Sequence, residues 1–243
     1  MKAVGIIPAR WASVRFPGKV LALLHGKPLI EHVWRQAKQA KNLDEVYIAC
    51  DEQHVKEAAE KFGAKTVLTN PELNSGTDRV AKAAEHLPHD VILNIQGDEP
   101  LVSPEAIDRL ADCLLKDKTH VMATVVKPLT DVEEIGNPNV VKAVLAHDKT
   151  AIYFSRSTIP FNRDKKPLSE ITYYKHLGLY AYRKSFLRKF KDLPVSDIEF
   201  VERLEQLRVL QAGYRIITVE TTHDSIGVDT PEDLEKVAKF IEF

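Results

Sequence analysis

Residues 3–19 read Ala3-Val4-Gly5-Ile6-Ile7-Pro8-Ala9-Arg10-Trp11-Ala12-Ser13-Val14-Arg15-Phe16-Pro17-Gly18-Lys19. The apolar run from Ala3 to Ile7 has the make-up of a buried strand, and Pro8, which brings no ladder donor, is expected to stop it. About twenty residues then pass before a helix expected to open at Pro28, and a link of that length in a compact domain is either functional or disordered. Trp11, Val14 and Phe16 argue against disorder, because three large apolar side chains would sit badly in solvent.

The charge on this stretch is one-sided. Lys2, Arg10, Arg15, Lys19 and Lys27 all precede the first acidic residue, Glu31, although the chain as a whole sums to −1. Cations gathered past the carboxyl end of a first strand suit a bound polyanion. Arginines fork onto phosphate oxygens, and a lysine acts as a point charge. A solvated basic loop is the competing interpretation of the same residues.

Working outward, helical and strand-like segments alternate. Apolar positions Leu29, Ile30, Val33, Trp34 and Ala37 form a helical stripe over 28–40. Strands are expected at 46–50, 65–68 and 91–95, and helices at 52–62, closed by Gly63, and at 77–87. Ser103-Pro104-Glu105 opens a further helix with a cap, a first-turn proline and an early acid. Past residue 119 the pattern changes to strands at 122–127, 140–145 and 175–182, with a mixed segment holding Arg156, Pro160 and Pro167 before the last of them. Helices follow at 186–190 and 198–212, then a strand at 214–219 and a capped helix from Thr230-Pro231-Glu232. Such alternation predicts an α/β fold: one domain over 1–243, with a mixed, mostly parallel sheet flanked by helices. Residues 120–195 are expected to add a small substrate-side lobe.

Composition narrows the function classes. At 243 residues, 44% hydrophobic and 28% charged, the chain is long enough for one large soluble domain. Its near-zero net charge speaks against a general nucleic-acid binder. No segment reaches membrane-spanning length or resembles a signal peptide, so a cytoplasmic protein with no membrane partner is expected. Cys50 and Cys113, far apart and in apolar contexts, are expected to be free thiols. The chain has neither a Gly-rich loop ending in Lys-Ser/Thr nor a Gly-x-Gly-x-x-Gly fingerprint, which removes support for ordinary NTPase and hydride chemistry.

Two acidic strand-end positions remain. Asp98 follows a glycine in Asn94-Ile95-Gln96-Gly97-Asp98-Glu99-Pro100, directly after an apolar strand. That is where α/β sheets place ligands, and magnesium is commonly held by one or two carboxylates plus substrate phosphates. Glu99 is a weaker candidate. Asp229, in Gly227-Val228-Asp229-Thr230-Pro231, lies just outside a helix capped by Thr230. Either aspartate alone reads equally as a solvated turn or a helix-end charge. Together they make a candidate metal site.

In order along the chain, the segments IIPARWASVRFPGK, HGKPLI, SGTDR, NIQGDEP, NPNVVKAV, YFSRSTIPF, KHLGLYAY, LEQLRVL and VDTPEDLE resemble the 3-deoxy-manno-octulosonate cytidylyltransferases, or CMP-Kdo synthetases, across nearly the whole length. The resemblance implies a nucleotidyltransferase-type, Rossmann-like fold, usually homodimeric, in which Mg²⁺ helps join CTP and Kdo into CMP-Kdo and pyrophosphate for lipopolysaccharide synthesis. It implies that Arg10 and Lys19 hold the triphosphate, with Pro8, Ala9, Ser13, Arg15, Ser75 and Arg79 around the nucleotide. Asp98 and Asp229 match the magnesium carboxylates, and Gln96, Arg156, His176, Tyr180, Glu205 and Gln206 match the sugar-binding set. Taken residue by residue, Arg79 and Arg156 also suit surface ion pairs, Tyr180 a core aromatic and Glu205 a solvated helix charge. Glu205 and Gln206 are adjacent, so they are not expected to point along the same helix face, and one of them is expected to serve only the fold. Competing functions are a cytidylyltransferase for 8-amino-Kdo or sialic acid, a non-catalytic nucleotide-binding regulator of the same fold, and a glycosyltransferase, for whose acceptor lobe the chain has no room.

Overall fold

The computed structural model describes residues 2–13, 15–73 and 75–241; Val14, one of the three apolar residues in the basic loop, lies outside them. In chain order the elements are β1 (Ala3–Ala9), β2 (Leu23–Leu24), β3 (Lys27–Pro28), α1 (Leu29–Ala37), β4 (Glu45–Cys50), α2 (Gln53–Lys61), β5 (Lys65–Leu68), α3 (Gly76–Ala84), β6 (Val91–Asn94) and α4 (Pro104–Lys116). There follow β7 (Met122–Leu129), α5 (Val132–Gly136), β8 (Lys142–Leu145), β9 (Ala151–Ser155), β10 (Tyr173–Arg183), α6 (Lys184–Phe190), α7 (Asp197–Glu202), α8 (Gln206–Gln211), β11 (Ile216–Glu220) and α9 (Pro231–Ala238).

The main sheet runs β11-β7-β10-β6-β1-β4-β5, with β8 and β9 extending from β10. β6, β1, β4 and β5 pair in parallel, as do β11 and β7, while β10 runs antiparallel between β6 and β7. It is therefore a mixed, mostly parallel sheet in an α/β fold. Residues alternate across it: Ile7, Leu93 and Leu177 pack with α1 and α4 on one face, Ile6, Ile92 and Tyr182 with α3, α6 and α8 on the other. Burial on both faces explains why the central strands read as apolar runs without polar alternation. Both thiols are free, with Cys50 fully enclosed and its pKa pushed up to about 12 by burial.

Three expectations fail for physical reasons. β1 does not stop at Pro8; Pro8 and Ala9 continue the ladder opposite Ala49 and Cys50. The carbonyl of Ile6 accepts from Ile95 N at 3.0 Å, so the polar groups of Pro8, two residues on, face the side where β6 has already ended at Asn94. No donor is needed there, and proline is tolerated. The single helix expected over 198–212 is two helices, broken where Arg203 takes a left-handed backbone at φ 56°. The mixed segment before β10 contains a strand, β9, which pairs antiparallel with β8.

Candidate active site

The long link after β1 folds back on itself. Gly18 sits at φ +70°, a conformation that favours glycine, and an added Cβ would lie 2.7 Å from the Trp11 ring. Trp11 also meets His54 edge-on at 4.4 Å, and its backbone N–H donates to Asp51 Oδ1 at 2.9 Å. Phe16 packs with Leu24, Leu29 and Val228 in a small cluster that also holds α9. The apolar residues of the loop thus fix its path, and Lys19 leaves it pointing inward.

Lys19 is where three distant parts of the chain meet. Its Nζ donates to Asp98 Oδ2 at 2.6 Å, to the Val228 carbonyl at 2.9 Å and to Asp229 Oδ1 at 3.1 Å. Arg15 Nη2 reaches Asp229 Oδ2 at 2.9 Å from outside. Burial works against the Lys19 charge, yet Asp98 and then Asp229 outweigh it, and its pKa is raised. Two backbone features deliver the aspartates. A Cβ on Gly97 would stand 2.5 Å from the Pro8 carbonyl, so only glycine lets the segment after β6 pass this close to β1. Val228 N donates to the Asp98 carbonyl at 2.9 Å, tying the approach to α9 beside it. The Glu99 side chain lies beside Gly178; burial, with the Asp98 charge, pushes its carboxyl up to about 7.

Among the described residues no group of three or more His, Cys, Asp and Glu is set to hold a metal. Asp98 and Asp229 nevertheless converge on the Lys19 ammonium. Two carboxylates are a donor set that suits Mg²⁺ once phosphate and water oxygens complete it.

Around this centre, Ala9 is buried at the end of β1 and Arg10 is exposed just beyond it. Arg79 is no surface residue. Its side chain is fully buried on α3, bonded through Nη1 to Thr69 Oγ1 and 3.6 Å from Asp51 Oδ2. Burial lowers its pKa against the pull of Asp51, and the charge of Arg10 adds to the lowering. Ser75 caps α3, its side chain accepting from Asp78 N. Ser13 is half-buried in the same loop as Arg10.

Beside the basic loop lies a cavity of about 260 Å³ lined by Thr77, Asn94, Gln96, Tyr180, Glu205 and Gln206, with Arg203 also on its wall. The helix break at Arg203 corrects the expectation that Glu205 and Gln206 face apart: Glu205 is the residue before α8, and both reach this wall. Gln96 Nε2 donates to the Gly178 carbonyl at 2.8 Å, and Thr77 Oγ1 donates to Glu205 Oε2 at 2.8 Å. Glu205 is no solvated charge, since burial raises its pKa against the Thr77 bond.

Tyr180 donates to Gln206 Oε1 at 3.2 Å, which leaves the Gln206 amide to face His176 Nδ1 at 3.5 Å. His176 Nε2 then donates to Thr124 Oγ1 at 2.9 Å, and that hydroxyl donates to the Leu179 carbonyl at 3.0 Å. Burial pushes the His176 pKa down to about 3, so the ring is neutral in this chain of bonds. Arg156 is placed elsewhere: its Nε donates to the Glu202 carbonyl at 2.8 Å and its Nη1 to the Pro138 carbonyl at 3.2 Å, and it does not line the cavity. A larger hollow of about 600 Å³ between α3 and α6 shares Glu205 but is walled by surface charges such as Lys82, Glu85 and Arg188.

Thr77, Asn94, Thr124 and Arg203 were not singled out from sequence. Asn94 carries a signal, a polar residue closing an apolar strand; the other three carry none.

Comparison with known proteins gives this geometry its relatives. The cytidylyltransferase family profile matches residues 4–216. A 3-deoxy-manno-octulosonate cytidylyltransferase from Solibacter usitatus is 49% identical over 238 residues, covering 98% of this chain and 94% of the relative. That from Thermodesulfovibrio yellowstonii is 43% identical over 250 residues, covering 98% of each. Among solved structures, a CMP:2-keto-3-deoxy-manno-octonic acid synthetase complexed with CTP superposes with a TM-score of 0.93 at 39% identity, covering 99% of this chain and 98% of that one. A cytidylyltransferase from Leptospira borgpetersenii, at 17% identity and a TM-score of 0.65, shares the fold. The chain therefore belongs to the 3-deoxy-manno-octulosonate cytidylyltransferases, within the cytidylyltransferase family.

Proposed function

We propose that this protein transfers CMP from CTP to the anomeric 2-hydroxyl of Kdo. The hydroxyl oxygen gives up its proton to water and bonds to the α-phosphorus, the α–β phosphoanhydride bond breaks, and pyrophosphate leaves, giving CMP-Kdo for lipopolysaccharide assembly. The observation that carries this is the meeting of Lys19, Asp98 and Asp229 at the strand ends, beside a separate polar cavity. One supplies charge for a triphosphate, and the other supplies hydrogen bonds for a polyol.

Asp98 and Asp229 would hold Mg²⁺, which supplies charge neutralisation at phosphate oxygens. Lys19, with Arg10 and Arg15, balances the charge gathering on the departing pyrophosphate. Arg79 and Asp51 brace the loop from below through Trp11 N. Gln96, Tyr180, Glu205 and Gln206 orient the sugar. His176 keeps Gln206 in register; with a pKa near 3 and both ring nitrogens engaged, it is a poor base and acts by positioning. Arg156 fixes the end of α7, and so the turn that presents Glu205 and Gln206.

A homodimer in the cytoplasm is part of the proposal. Large apolar side chains left exposed at Ile152, Phe161, Phe200 and Val201 support the dimer, and no helix among the described residues is long and apolar enough to cross a membrane. The test is pyrophosphate release with Mg²⁺, each of the four NTPs and a panel of acid sugars. Turnover confined to CTP with Kdo is expected; turnover with sialic acid alone would overturn the proposal.

A further inference from the structure

Asn94 closes β6 with its side chain on the face shared with Ile92, toward α3 and α8. It is 2% exposed, and it lines the cavity beside the basic loop. Its polar neighbours there are matched: Gln96 with the Gly178 carbonyl, Thr77 with Glu205, Tyr180 with Gln206 and Gln206 with His176. Asn94 Oδ1, by contrast, is buried and has no hydrogen-bond partner among the described residues. Buried side-chain amides in folded proteins are almost always bonded, and an orphan at a cavity wall marks a place where a ligand or water completes the set.

The surroundings say which kind of ligand. Amides, a hydroxyl, two tyrosines and the carboxyl of Glu205 line the wall, and the cation there, Arg203, is exposed, so a phosphate inside would meet a negative group and no enclosed cation. The hydroxyls of a sugar fit. An amide offers a donor at Nδ2 and an acceptor at Oδ1 side by side, the complement of two neighbouring hydroxyls.

We propose that Asn94 is a sugar-binding residue whose amide bonds two adjacent hydroxyls of the acid sugar, and so helps set which sugar is accepted. This rests on the cytidylyl-transfer function proposed above. Because Oδ1 is buried and unpaired in the free protein, it lowers stability there and repays that only when sugar binds.

The two roles separate in Asn94→Ala and the near-isosteric Asn94→Leu. Steady-state pyrophosphate release should show the KM for Kdo raised about 10- to 100-fold, as for the loss of one or two hydrogen bonds, with the KM for CTP within about twofold. Thermal unfolding of ligand-free Asn94→Leu should occur above wild type, which a merely structural asparagine would not produce. A Kdo KM within about twofold of wild type in Asn94→Leu, or equal rises for both substrates, overturns the assignment. Should neither variant fold, the side-chain amide resonance of Asn94 in the wild-type protein is followed as Kdo is added alone. A shift supports the contact, and an unmoved resonance at saturating sugar refutes it. Failure of wild-type protein to release pyrophosphate from CTP with any acid sugar would overturn both proposals, whereas normal turnover with indifferent Asn94 variants overturns only this one.

Discussion

Replacing Lys19 by methionine tests whether Asp98 and Asp229 share one cation site. The Asp98 and Asp229 oxygens lie 2.6 and 3.1 Å from the same Nζ, so they stand within about 6 Å of each other. Two carboxylates at that distance repel by up to about 3 kcal/mol at an effective dielectric constant of 20, and the Arg15 that stays paired with Asp229 takes off part of this. The side chains are 31% and 45% exposed, and solvent screening cuts the repulsion to about 1–2 kcal/mol. The Val228 carbonyl loses a donor as well, worth about another 1 kcal/mol. Lys19→Met should therefore unfold in urea with a free energy about 2–3 kcal/mol below wild type at pH 7 and low salt. Raising the salt should narrow the gap. Millimolar Mg²⁺ without nucleotide should restore part of the loss in the variant and leave wild type unchanged, because in wild type the ammonium already fills the place. A variant that unfolds at the wild-type urea concentration and ignores Mg²⁺ would show that the two carboxylates do not share a site.

Three further outcomes follow from the same geometry. Asp98→Asn should keep its circular dichroism spectrum while losing turnover by several kcal/mol in barrier, measured as pyrophosphate release; near-normal activity would remove the carboxylate from the mechanism. Gly18→Ala should lose about 1–2 kcal/mol in urea unfolding, because alanine resists φ +70° and its Cβ meets the Trp11 ring, and the tryptophan emission should change with it; unchanged emission and stability would refute that packing. Burial holds the His176 pKa near 3, below its value of about 6.5 in an unfolded chain. A depressed histidine pKa means that the unfolded state takes up the proton first. Stability should therefore be full above about pH 6.5 and fall toward pH 3 by up to about 1.4 kcal/mol per pH unit. In His176→Phe that component of the slope should vanish, and an identical pH profile in the variant would refute it.

What could be read from the chain follows from how each feature is encoded. Strands β1, β4 and β6 announce themselves because both their faces are buried, so Ile6 and Ile7, or Ile92 and Leu93, stand next to each other. β9 is masked because it lies in a peripheral hairpin with Ile152 58% exposed, where burial does not impose a pattern. The break at Arg203 has no glycine to mark it, and the surrounding helical propensity runs through the gap. The basic loop and the two aspartates were legible as residue types with strand-end placement. Their meeting was not: Lys19 and Asp229 are 210 positions apart, and only strand order and the packing of Phe16, Leu29 and Val228 bring them together. The position of Arg156 was hidden for the opposite reason, because its partners are backbone carbonyls, which leave no trace in the sequence.

The antiparallel strand β10 carries a consequence for synthesis on the ribosome. It lies between β6 and β7, yet it is made after both, from Tyr173 onward. A nascent chain that has reached residue 172 holds two strand edges with no occupant between them, each a row of unpaired donors and acceptors open to adhesion. Gln96, Asn94 and Lys19 exist by then, but Tyr180, His176 and the turn at Glu205 do not, so the polar hollow is assembled only in the last third of translation. Truncated products of this gene should accordingly be aggregation-prone rather than weakly active, and a chaperone that shields strand edges would find its target between residues 91 and 129.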